Sequence, residues 1–344
     1  MRALYLVGPA IDALVMGGAS LLLYGVCRAL EGGAGAAALS SAWETVAIVV
    51  AALNGAHFAA TSYRLYRSPD AMRQFPLTTA LVPLVVLAGV GASFRWPLLI
   101  APYFIKLFLL WSPYHYSGQT MGLSALYARR AGTALEPAER RTLEGFVFGT
   151  FLASVARAEV QVNRFDYFGI AYPSFGLPPW VATACLAAMA LSGVAFLILI
   201  ARRARSLPPI VFVAPAAQFV WFVLGPRSSL FYPLVPLFHG AQYLFVSWFL
   251  HLQERRAEGA PRSVASAARE SLRWGGWSLA GYVVLFLALP KLLSATTGVS
   301  FLFATAVFTG GVQLHHFFVD GVIWRLRTPH LAQAMTASLS EVTG

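Results

Sequence analysis

Apolar residues run along this chain in blocks of about 20, the length a helix needs to cross the hydrocarbon core of a bilayer. Ten such blocks cover roughly 4–29, 42–63, 75–94, 96–127, 142–160, 179–201, 208–224, 232–252, 274–293 and 299–324. The pattern predicts an all-α fold: a polytopic membrane helical bundle of about ten spans, with residues 1–327 as a single transmembrane domain. The fourth block is long for one straight span and contains Pro102 and Pro113, so a kink, or a split at Trp111-Ser112-Pro113, is expected there. Residues 253–273 form a sizeable hydrophilic insert and read as a cytoplasmic amphipathic surface helix, while 328–344 read as a weakly ordered tail. Asp12 interrupts the first block, which is expected to be an uncleaved span. The aromatic, proline-rich loop from Phe165 to Trp180 is long enough to fold over a cavity, but Tyr167, Phe168, Tyr172 and Trp180 favour an interfacial anchor.

Composition agrees with a chain written for lipid: 58% hydrophobic, 11% charged and a mean hydropathy of +0.66. The formal net charge of +11 would raise nucleic-acid binding in a soluble protein. Here the excess lies in short loops and becomes a topology signal. Arg64, Arg67 and Arg73 follow the second block, and Arg129, Arg130, Arg140 and Arg141 the fourth. Arg202, Arg203 and Arg205 follow the sixth, five arginines lie between Arg255 and Arg273, and Arg325 and Arg327 follow the tenth. The alternate connections hold isolated cations such as Arg95, Arg164 and Arg227, so both termini are expected in the cytoplasm of a bacterial-type inner membrane. Cys27 and Cys185, both in apolar blocks, offer neither a disulfide framework nor a CxxC site.

Ionisable groups at membrane depth are costly, by about 2.5–3.5 kcal/mol at a helix centre, and mark functional sites. The stretch Gln313–Arg327 carries His315, His316 and Asp320 in an apolar run; His316 and Asp320 are four apart and share a helical face, with His315 about 100° away. The second block carries Asn54, His57, Thr61 and Arg64 on one stripe, the fourth His115 and Gln119, the eighth His239, Gln242 and Tyr243. At 1.5 Å per residue from the first cytoplasmic arginine, His57 lies about 10 Å deep, His315 about 15, His115 about 21 and His239 about 24. Imidazole ligates iron, copper and zinc, and Asn54, Gln119, Gln242 and Asp320 are candidates to orient such ligands. The alternative for each histidine is an interhelical hydrogen bond. His251 and His330 read as structural. The HxxxH and HxxHH boxes of membrane desaturases, HExxH, CxxCH, a phosphate-binding glycine loop and GxSxG do not occur.

Leu237-Phe238-His239-Gly240-Ala241-Gln242-Tyr243 leading to Val246-Ser247-Trp248, with His57-Phe58 and with His315 five residues before Asp320, resembles the motifs of the Brp/Blh family. Those polytopic membrane dioxygenases split β-carotene into retinal and are thought to use histidine-bound iron. The resemblance implies ligand positions at His57 and His239, and a last-helix motif at His315 and Asp320. Two family histidines are replaced: the N-terminal Pro-His is Pro9-Ala10 here, and the second histidine of the HxxxH pair is Tyr243. His115 and His316 are then left to complete a different set.

Three functions follow from these residues. The first is a metal-dependent membrane oxidoreductase, a dioxygenase-like enzyme, holding Fe(II), or else copper or zinc, through His57, His115, His239 and His315 or His316. Asp320 would orient a ligand or take a proton, and Tyr243 would hydrogen-bond bound oxygen. Its substrates would be O₂ and a lipid-like or carotenoid-like molecule arriving from the bilayer past Phe58, Tyr114, Phe317 and Phe318. The second is a proton-coupled transporter with a His/Asp relay and proline-broken helices at Pro83, Pro102, Pro113, Pro215 and Pro236. The third is a haem- or quinone-binding membrane subunit. No nucleic-acid partner is expected.

Overall fold

A computed structural model describes residues 4–31, 35–67, 69–160, 165–202, 207–324 and 339. Ten long helices occur among the described residues. They are α1 (Pro9–Leu30), α2 (Gly35–Tyr66), α3 (Leu77–Arg95), α4 (Ala101–Arg130) and α5 (Pro137–Glu159). After a two-stranded hairpin, β1 (Phe165–Tyr167) and β2 (Ile170–Tyr172), come α6 (Pro179–Arg202), α7 (Ile210–Arg227), α8 (Val235–Ala257), α9 (Val264–Thr297) and α10 (Phe301–Ile323). Seven of these, all but α4, α5 and α8, are long and apolar enough to cross a membrane. Large apolar side chains such as Leu84, Leu98, Leu191 and Leu197 stand out from the bundle, as side chains facing lipid do. The fold is an all-α membrane bundle.

The fourth block forms one continuous helix: Pro113 sits inside α4 without splitting it. Ser112 and Ser117 donate to the Phe108 and Pro113 carbonyls around that point, so the turns flanking the proline keep polar partners. Elsewhere the helices change pitch near proline or glycine, through wide turns at Leu77–Leu81 before Pro83 and at Val283–Ala288 before Pro290. In α1 the break falls at Gly17, whose φ of 144° suits glycine. A Cβ there would lie 2.5 Å from the Ala217 Cβ, so glycine also lets α1 touch α7. The break frees the Met16 carbonyl, which accepts from Gln242 Nε2 at 2.8 Å.

Helix α2 packs against α8, α9 and α10; α10 also meets α3 and α4, and α4 meets α5 and α7. Small residues permit the close approaches, with Gly281 of α9 against Ala59 of α2 and Gly149 of α5 against Met189 of α6. The stretch 253–273 is not a separate surface helix. Its residues are the last turns of α8, a turn, and the first turns of α9, because Ser266, Glu270, Trp274 and Ser278 form a buried stripe that carries α9 straight into the bundle.

The hairpin lies over one end of the bundle instead of only anchoring it. Tyr167 packs on Phe108, and Ile170 is buried. At the opposite end Arg64 and Arg67 pair with Glu254, and these two ends define the hairpin side and the arginine side. Arg164, Arg203, Arg205, Arg325, Arg327 and His330 lie outside the described residues, as does the tail from Thr328 apart from Leu339.

Candidate metal centre

Four helices that all run from the hairpin side to the arginine side each bring one histidine to a common layer. His57 of α2, His115 of α4, His239 of α8 and His316 of α10 have ring centroids 4.7–5.2 Å apart across four of their pairs. Exposure is 0% for His57 and 1% for both His239 and His316, so their polar atoms are out of reach of bulk solvent. The depth differences read along the sequence close up because arginine is a poor level marker. The long side chains of Arg64 and Arg67 reach Glu254, which is fifteen residues past His239.

Gly240 sets the approach of α8 to α2. A Cβ at that position would stand 3.2 Å from His57 Nδ1 and 3.4 Å from the Asn54 Cα. Both ring nitrogens of His57 and both of His239 are buried without a hydrogen bond. The Asn54 carbonyl interacts with the His57 ring at a geometry short of one. A buried donor or acceptor left unpaired costs about 1–3 kcal/mol, and an ion bound through one nitrogen of each ring would satisfy two of these four atoms.

His316 is held differently. Its Nδ1 lies 2.9 Å from Thr61 Oγ1, which also lies 3.1 Å from the His57 carbonyl and 2.5 Å from Tyr243 Oη. The threonine hydroxyl has one proton to give. Whether that proton goes to the carbonyl or to Tyr243 Oη, a Thr61 lone pair is left to receive the His316 Nδ1–H, which leaves the His316 Nε2 lone pair directed into the layer. That Nε2 lies 3.1 Å from His115 Nε2, and Asp320 Oδ2 lies 3.3 Å from the first and 3.6 Å from the second. Trp324 Nε1 donates to Asp320 Oδ1 at 3.2 Å. Two triads therefore share His316, one with His57 and His239 and one with His115 and Asp320, and within each the ligand atoms lie within 4.8 Å of one another. Imidazoles with one carboxylate suit iron, copper or zinc, and the unpaired nitrogens fit such an ion.

No family model, curated protein or solved structure matches the chain.

His315, in the motif implied by the family resemblance, is outside the layer. Its ring faces Tyr66, with Nε2 3.0 Å from Tyr66 Oη, because consecutive residues on a helix point about 100° apart. Gln119 and Gln242 do not orient an imidazole. Gln119 Nε2 donates to Gln242 Oε1 and to the His239 carbonyl, bolting α4 to α8, while Asn54 Oδ1 is buried without a partner. Of the aromatic candidates, Phe58 packs edge-on to His316 and Phe317 stacks on His115. Tyr114 is half exposed, and Phe318 packs on Trp111 away from the imidazoles. Sequence reasoning missed three neighbours: Tyr116, stacked on His239 at 3.8 Å, Trp324 on Asp320, and Thr61 as the partner of His316. The spacing of Trp324, four after Asp320, was the available signal.

Cavities flank the layer. One of about 320 Å³ lies on its arginine side between α4, α8 and α10, with Trp111, Phe148, Val246 and Phe317 in its walls and His115 and Asp320 at its end. Gly118, Gly122 and Gly321 face open space there, so absent side chains make the room. The other, of about 440 Å³, lies on the hairpin side.

Proposed function

We propose that the histidine layer holds a metal ion, non-haem iron ahead of copper or zinc, and that the protein is a membrane oxygenase acting on a lipid-like or carotenoid-like substrate. The observation that carries this reading is the convergence of unpaired, buried imidazole nitrogens next to a mostly apolar cavity. Iron held by imidazoles with coordination positions open supplies O₂ activation. His57, His115, His239 and His316 would hold it. Thr61 keeps the His316 lone pair turned inward, and Asp320 is positioned to orient His115 and His316 or to take a proton from a ligand ring. Tyr243, which contacts both Thr61 and Asp320, supports that arrangement from the arginine side. The aromatic and aliphatic walls of the smaller cavity would bind an apolar chain and keep water from it.

The short motifs around His57 and His239 support a distant kinship with the Brp/Blh dioxygenases. His316 in place of His315, and His115 in place of an N-terminal histidine, would make the ligand set a variant of theirs. Charge in the loops supports ten spans with both termini in the cytoplasm of a bacterial inner membrane.

Oxygen uptake by purified protein reconstituted with iron and supplied with apolar lipids or carotenoids tests the reading. Uptake that depends on the lipid and falls by about 10–100-fold in Asp320→Asn is expected. Absence of uptake with every apolar substrate, from metal-loaded protein, would overturn it. One observation favours a second reading, a proton-coupled carrier: the cavities lie on both sides of the histidine layer. A carrier would move protons across proteoliposomes without consuming O₂.

A further inference from the structure

The four histidine helices share one direction, so the residue three before each histidine lies one turn nearer the hairpin. Those residues are Asn54, Ser112, Pro236 and Gln313, and all four line the larger cavity. One turn past the histidines, Gly118, Gln119, Gln242 and Asp320 line the smaller one. The histidine layer is a septum between two chambers.

The chambers differ in polarity. On the hairpin side, Asn54, Ser112 and Gln313 form the floor, with the tyrosines Tyr116, Tyr172 and Tyr232 around it. Asn54 is only partly buried and contributes to the wall of that cavity. Water occupies a cavity when the space is large enough and two to four polar partners are within reach. At about 30 Å³ per molecule, 440 Å³ has room for on the order of ten waters. We propose that this chamber is a hydrated vestibule, which brings water and small polar solutes to the histidine layer by a route separate from the apolar cavity.

The wall and cover of the chamber fit that role. Lys106 Nζ pairs with Glu159 Oε2 at 2.7 Å, which cancels the charge of the only lysine and acid among the described residues lining it. The same pair fastens the segment after β2: Lys106 donates to the Pro173 carbonyl at 2.6 Å, and Glu159 Oε2 accepts from the Phe175 N–H at 2.5 Å. Leu177 N–H donates to the Glu159 carbonyl at 2.7 Å. Tyr167 and Tyr172 of the hairpin line the chamber, so the hairpin roofs a space in which polar side chains alternate with apolar ones such as Phe108 and Phe222. Tyr116 connects that space with the site, since it lines the chamber and stacks on His239.

Thiol accessibility in sealed membrane vesicles tests the proposal, with Cys27 and Cys185 replaced by alanine. Phe168→Cys, at the exposed tip of the hairpin, reports which side the hairpin faces, and Leu191→Cys, 71% exposed on α6, reports the lipid surface. Ser112→Cys on α4 and Ser154→Cys on α5 probe two walls of the chamber. A charged, membrane-impermeant thiosulfonate added on the side that modifies Phe168→Cys should modify both. Because the thiolate is the reactive form and ionisation needs water, both should react at least about tenfold faster than Leu191→Cys. Reaction no faster than at Leu191→Cys, or only from the opposite side, would overturn the proposal. If Ser112→Cys fails to fold, Ser154→Cys decides alone. Neither result depends on whether the histidines hold a metal.

Discussion

Two of the polar clusters buried in this bundle are finished in opposite ways. At the start of α1, Asp12 is wholly buried and every direction around its carboxylate is used: the backbone N–H groups of Leu6, Val7 and Gly8 and the Tyr127 hydroxyl all donate to it, at 2.6–3.1 Å. Arg130 completes the cluster by donating to the Leu4 and Tyr5 carbonyls. The histidine layer, equally buried, leaves four ring nitrogens of His57 and His239 without hydrogen bonds. A closed cluster stabilises the fold that contains it, whereas an open one is stabilised by something that binds.

The comparison can be broken at its closed end first. Asp12→Ala would strand the buried Leu6 N–H and Tyr127 hydroxyl, at about 1–3 kcal/mol each, and free the half-buried Val7 and Gly8 N–H groups, so it should lower stability by about 2–6 kcal/mol in detergent. Chemical denaturation with helix content as the readout measures it, and metal content per folded chain should not change. Gly240→Val adds atoms where even a Cβ would sit 3.2 Å from His57, so it should cost about 1–3 kcal/mol and, unlike the first, strip the metal from protein that still folds. Gel filtration followed by elemental analysis separates those two effects. Thr61→Val removes the partner of His316 Nδ1 and leaves the ring free to turn, which should weaken metal binding by about 10–100-fold in a competition titration. The buried groups it strands on His316 and Tyr243 should also lower stability by about 1–3 kcal/mol.

Much of the architecture was legible in the sequence because bilayer-length apolar runs and caps are local signals. The ten blocks correspond to the ten long helices, apart from ends that extend into charged turns, as α8 and α9 do around Glu258–Ser263. The site was legible in part. Histidine in an apolar run stands out, and the four-residue spacing of His316 and Asp320 placed them on one face. The family resemblance instead paired His315 with Asp320, and helix geometry decides for His316. Gln119 and Gln242 looked like partners for imidazoles because they sit beside them in sequence, yet they pair with each other across α4 and α8. Contacts of that kind depend on helix rotation, which no single sequence fixes. The Lys106–Glu159 pair was invisible for the same reason, since 53 residues and a helix reversal separate its halves.

The most direct measurement is the metal-to-chain ratio of purified, reconstituted protein for the wild type and for His57→Leu, His239→Leu and His315→Leu. The account predicts near-stoichiometric transition metal in the wild type and in His315→Leu, and loss of it in the other two. In metal-free protein, those two replacements of unpaired imidazoles should change stability by less than about 1.5 kcal/mol. Wild-type metal content in both His57→Leu and His239→Leu, or none in the wild type, would contradict it.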